Sequence, residues 1–119
     1  MIKLTCQDIL LYANEAIEEK GEDYVYGLYP CHYVMANKPS CLVGNIMHRA
    51  GISLEVLEEN EGGAYGLLSV LKTRKLIEID ANAEMFLIVA QRAQDNRVSW
   101  GNAVKVAEAA AYHMNLLSE

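Results

Sequence analysis

The last third of the chain constrains the fold most. Met85-Phe86-Leu87-Ile88-Val89-Ala90 is apolar on every side of a helix, and Gln91-Arg92-Ala93-Gln94-Asp95 continues it in helical rather than extended character. A turn follows, and Ser99 is placed to cap a second helix. In that helix Trp100, Ala103, Val104, Ala107, Ala110, Ala111 and Met114 recur at steps of three and four. Alanine at those steps keeps the helix profile low and lets a neighbour approach closely. The spacing predicts an antiparallel helical hairpin, over about 83–96 and 100–116, at the centre of the molecule.

The upstream elements read as helices with local start and stop signals. Thr5 with Asp8 three residues on makes a capping-box start, followed by Ile9, Tyr12, Ala13, Ala16 and Ile17, and Gly21 is a stop. A second helix begins after Ser40, with Cys41, Leu42, Val43, Ile46, Met47 and Ala50 on or near its buried side, and Gly51 ends it. Ser53 caps a third, short helix through Leu54 and Leu57. Asn60-Glu61-Gly62-Gly63 breaks the pattern before a fourth over Tyr65–Leu71. Asp80 or Asn82 caps the fifth. Tyr24-Val25-Tyr26 reads as a short strand at most, and Leu76–Ile79 alternates like an extended segment too short and solitary for a sheet. The expected fold is all-α, a compact bundle of five or six helices forming one domain over 1–119, with no internal repeat.

Composition excludes several classes. At 52% hydrophobic and 22% charged, the chain is a globular one that buries about two-thirds of its unfolded surface. No apolar run reaches the roughly 20 residues that cross a bilayer, and the start lacks a signal peptide's apolar core. A cytoplasmic location and no membrane partner are expected. The net charge of −6 argues against nucleic acid as the main partner, because phosphate neutralisation needs a basic face and the largest basic cluster is Lys72, Arg74 and Lys75. Three cysteines without a C-x-x-C pair read as reduced thiols.

Reaction chemistry is sparse. Cys41, at a helix start, is the nucleophile candidate if the protein is an enzyme, since the exposed amides of a first turn stabilise a thiolate. His48 lies two helical turns away, a rise of about 10 Å, and gives it no direct base. The competing reading makes Cys41 a small buried apolar residue beside Gly44. Cys31, His32, Cys41 and His48 match no zinc pattern, so no metal and no cofactor is expected. Gln91, Gln94, Asp95 and Asn96 read as a polar helix end that serves capping, and Trp100 as a structural anchor whose indole N–H finds a carbonyl. Tyr24, Tyr26, Tyr29, His32 and Tyr33 form the binding candidate, because tyrosine supplies contact area at low entropic cost. Their alternative is to cover the core beneath a long connection.

Cys41-x-Val43-Gly44, Met47-His48-x-x-Gly51, Ala90-Gln91-x-x-Gln94-Asp95 and Ser99-Trp100-Gly101-x-Ala103-Val104 resemble motifs of small uncharacterised proteins from actinobacteria and their phages, over about residues 40–107. The resemblance implies no catalytic residues, and it implies a phage or mobile-element origin. The reading that follows is a small interaction protein, homodimeric and acting on a host protein. The alternatives are a small-ligand binder using residues 24–33 and a helix-turn-helix DNA-binding regulator.

Overall fold

The computed structural model describes residues 1–27 and 31–117, with side chains described as far as His113. Six helices lie among the described residues: α1 (Cys6–Lys20), α2 (Leu42–Arg49), α3 (Leu54–Glu59), α4 (Ala64–Thr73), α5 (Ala81–Asp95) and α6 (Trp100–Leu117). All of these except α4, which follows Gly63 without a side-chain cap, start where a nearby side chain satisfies a free amide. Thr5 Oγ1 accepts from the Asp8 N–H while the Asp8 carboxylate accepts from the Thr5 N–H, a complete capping box. Ser53 and Asp80 accept from Val56 and Ala83 in the same manner, and Ser99 Oγ accepts from Asn102. Such a cap holds its helix by about 1 kcal/mol.

The fold is not purely α-helical. β1 (Ile2–Leu4) pairs in parallel with β4 (Ile77–Ile79), in the register Ile2↔Ile77, Lys3↔Glu78 and Leu4↔Ile79. The alternation of Leu76–Ile79 therefore does mark a strand, whose partner comes from the far end of the sequence. Leu4 and Ile77 are buried on this ribbon's inner face, and Lys3 meets Glu78 in an exposed ion pair at 3.7 Å. A second ribbon, β2 (Val34–Met35) with β3 (Lys38–Pro39), is antiparallel. Tyr24-Val25-Tyr26 forms no strand. Its neighbourhood instead completes α6: the Tyr24 carbonyl accepts from Trp100 N–H at 2.8 Å and the Glu22 carbonyl accepts from Gly101 N–H at 3.0 Å. A Cβ on Gly101 would lie 2.8 Å from that Glu22 oxygen, which explains the glycine beside the tryptophan.

One continuous core joins these pieces. Ile9, Ala13 and Ala16 of α1, Leu42, Val43, Ile46 and Met47 of α2, Leu67 and Leu71 of α4, and Phe86, Leu87 and Ala90 of α5 all belong to it. Trp100, Ala103, Val104, Ala107 and Ala111 of α6 close it. α5 and α6 pack against each other more extensively than any other pair, through that small-residue face. The radius of gyration, 13.1 Å, is what a compact chain of this length gives (about 13.5 Å). Trp100 is fully buried, edge-on to Tyr24 at 4.7 Å between ring centroids. Met114, expected on the same stripe, lies outside the described side chains.

Candidate functional site

The β2–β3 ribbon turns through Ala36 and Asn37, whose φ angles of 52° and 62° suit the tight two-residue loops that match strand twist. The reversal lays residues 31–33 beside 40–41. Ser40 N–H donates to the Tyr33 carbonyl at 2.8 Å, and Cys41 N–H to the His32 carbonyl at 3.0 Å. Cys31 and Cys41, on the two arms of the reversal, are thereby neighbours, and each thiol perturbs the other. Gly44 lets α2 press onto this ribbon, since a Cβ there would collide with the Tyr33 backbone carbonyl.

Cys41 is fully buried at the N-cap of α2, where its Sγ accepts from the Gly44 N–H at 3.4 Å. Burial, and then the neighbouring Cys31, pushes its thiol well above the ordinary range. Cys41 is thus a protonated core residue rather than a resting nucleophile. Cys31 has the opposite character. It is half-buried, and its thiol is pulled below the ordinary range, first by the neighbouring Cys41 thiol and then, against the cost of burial, by the amides of Gln94 and Gln91.

Those two amides are locked in orientation. Gln94 Oε1 accepts from the Leu42 N–H at 2.7 Å and from the Trp100 indole at 3.1 Å, which leaves Nε2 to donate to Cys31 Sγ at 3.5 Å and to Asp95. Gln91 Nε2 donates to the Gly62 carbonyl at 3.3 Å and to Cys31 Sγ at 3.6 Å, while Tyr33 Oη donates to Gly62 O and Gln91 Oε1. Glu61 closes the rim. Its carboxylate accepts from the Tyr33 and Val34 N–H groups at 3.0–3.2 Å and sits 3.6 Å from His32 Nδ1. Among the described residues every buried side-chain nitrogen or oxygen has a partner.

The tyrosines expected as a binding face are turned inward. Tyr33 is 1% exposed and its phenol is held neutral by burial. Tyr26 is 5% exposed, its hydroxyl 2.6 Å from Ser40 Oγ. Tyr24 is half-buried against Trp100, and Tyr29 lies outside the described residues. Among the described members of the set, Tyr24 and His32 keep partial exposure. His48 contacts the Ile52 carbonyl, away from the cysteines, and no three metal-ligating side chains converge among the described residues.

No family model, curated protein or solved structure matches the chain. The site therefore rests on its own geometry.

A groove of 390 Å³ runs beside Gln91, between the start of α4 and the last turns of α5. Tyr65 forms one wall, Ile88 part of the floor, and Arg92, Asp95 and Asn96 the polar rim. Tyr65 is 76% exposed, the largest exposure of any described aromatic side chain. The outward side of α6 offers Lys105, Val106, Glu108, Ala109, Tyr112 and His113, one lysine against one glutamate, which is not the basic stripe a DNA-reading helix carries.

Sequence reasoning passed over Gln91, Gln94, Cys31 and Glu61 as a group. One signal was present: Ala83, Phe86, Leu87, Ala90, Gln91 and Gln94 share a helix face, so both glutamines had to point inward with the apolar residues.

Proposed function

We propose that this chain acts by binding another protein, and that the groove between α4 and α5 is the surface it uses. The observation that carries the reading is Tyr65, a large aromatic side chain left open beside an apolar floor and a charged rim. Buried aromatic anchors ringed by polar groups are what concentrate affinity in protein interfaces. A partner suited to it presents an apolar side chain to Tyr65 and Ile88, with hydrogen-bonding groups for Arg92 and Asp95. The antiparallel pairing of α5 and α6 is the scaffold that holds this surface. A host protein is the intended partner in this reading, consistent with the resemblance to phage-encoded chains, and a second copy is the self-binding variant of it.

The test replaces Tyr65 with a photo-crosslinking residue in the full chain, with the same replacement at Tyr112, which is 66% exposed on α6, as the control. The expected result is one dominant adduct from position 65 and none from 112, abolished by adding Arg92→Glu. A self-adduct identifies the homodimer. Equal, diffuse labelling from both positions overturns the assignment of the groove.

A further inference from the structure

The thiol pair adjoins the groove, sharing Gln91 with it, and calls for a chemistry of its own. Cys31 is only partly buried, two fixed donors face its sulfur, Gln94 Nε2 at 3.5 Å and Gln91 Nε2 at 3.6 Å, and the Cys41 thiol is its neighbour. Neither amide can turn away. Gln94 Oε1 is held by two N–H donors, and Gln91 Nε2 is held by the Gly62 carbonyl. A structural cysteine needs no such arrangement. A thiolate does, because a desolvated anion is stable only where fixed donors replace its water.

We propose that Cys31 is a hydroperoxide-reactive thiolate and Cys41 its resolving thiol, the two forming an intramolecular disulfide. In the first step Cys31 Sγ attacks one oxygen of the hydroperoxide. A sulfur–oxygen bond forms, the oxygen–oxygen bond breaks, and the departing hydroxide takes a proton and leaves as water. Cys31 is then a sulfenic acid. In the second step Cys41 Sγ attacks that sulfur. A sulfur–sulfur bond forms as the sulfur–oxygen bond breaks, and the Cys41 proton leaves with the hydroxide as a second water. Two thiols and one hydrogen peroxide give one disulfide and two waters.

The surroundings select this oxidant class. Glu61 stands on the rim and Asp95 beside Gln94, so an anionic disulfide such as the glutathione dimer meets like charge, whereas a small neutral peroxide does not. Cys41 is fully buried and reaches only what has already bonded to Cys31, which suits a resolving thiol. Cys6 is the internal control. It is also half-buried, but its thiol is pushed up by burial and then by Asp80 and Glu108.

The experiment treats the reduced full chain with stoichiometric hydrogen peroxide and maps the products by peptide mass spectrometry. The expected result is loss of two hydrogens from the monomer and a Cys31–Cys41 linked peptide, with Cys6 still free. In Cys41→Ser, a dimedone adduct accumulates on Cys31, and in Cys31→Ser peroxide consumption falls at least tenfold. Gln91→Leu slows consumption severalfold while circular dichroism stays native, a readout that does not depend on either cysteine variant folding. Oxidation of Cys31 no faster than Cys6, linkage between chains rather than within one, or an undiminished rate in Gln91→Leu would each overturn the proposal.

Discussion

Replacing Gln94 with leucine tests the internal architecture most directly. The side chain is 1% exposed, and its Oε1 is the partner of two buried donors on different elements, the Leu42 amide at the start of α2 and the Trp100 indole at the start of α6. Leucine fills a similar volume but accepts nothing, so two N–H groups lose their partner in a region closed to water. Each of the two unsatisfied buried donors costs about 1–3 kcal/mol, and the added apolar burial returns about 1 kcal/mol, giving a net loss of about 1–5 kcal/mol. For a domain of this size, stable by about 5–15 kcal/mol, that lowers the melting temperature by roughly 4–20 °C. Trp100 is the only tryptophan, so its fluorescence follows unfolding in urea at the residue concerned. Gln94→Glu is the informative companion: one carboxylate oxygen still accepts from both N–H groups, but the other replaces a donor to Asp95 and Cys31. Its cost relative to the parent chain should therefore be greater at neutral pH than at acidic pH, where the carboxyl is protonated. Near-native stability in Gln94→Leu, within about 0.5 kcal/mol, refutes the claim that this one oxygen ties α2, α5 and α6 together.

Three further outcomes follow from the same contacts. Gly44→Ala drives a methyl group into the Tyr33 carbonyl and should cost about 2–4 kcal/mol in urea unfolding, whereas Gly66→Ala, in open space on a helix, should be neutral or slightly stabilising. Ala36→Gly removes the left-handed penalty of an L-residue at φ 52° and should stabilise by about 0.5–1 kcal/mol, read as a higher denaturant midpoint at unchanged slope. Iodoacetamide labelling followed against pH should place the Cys31 midpoint below that of an ordinary thiol and the Cys6 midpoint above it, because the thiolate is favoured at the first and opposed by burial and two carboxylates at the second. Coincident midpoints would remove the donor cradle around Cys31.

What the sequence disclosed was local. The caps at Thr5, Ser53, Asp80 and Ser99 span three residues each, so composition and spacing carry them in full. The Trp100 stripe was legible for the same reason, as was the carbonyl partner of its indole, although that carbonyl belongs to a side chain. The pairing of β1 with β4 was hidden because nothing near Leu76–Ile79 identifies a partner at Ile2–Leu4. The meeting of Cys31 and Cys41 depends on a hairpin whose loop is Ala36-Asn37, without the Asn-Gly pair that usually announces one. The tyrosines misled through their chemistry: an amphipathic ring fits an exposed patch and a hydrogen-bonded core position equally well, and here Ser40 and Gly62 supply the partners that draw Tyr26 and Tyr33 inside.

The parallel ribbon of β1 and β4 has a consequence for the order of assembly. β1 is near the beginning of the sequence, yet its hydrogen-bonding partner follows α1, α2, α3 and α4. During synthesis β1 has to wait, unpaired, until β4 emerges behind four helices, and its docking closes a long loop. α5 and α6, by contrast, meet across a few residues and can pair as soon as both exist. The N-terminal strand is therefore a late-fitting clasp over α1 to α4, and folding that proceeds from the ribosome should protect it from hydrogen exchange after those helices, with α6 docking onto Glu22 and Tyr24 later still.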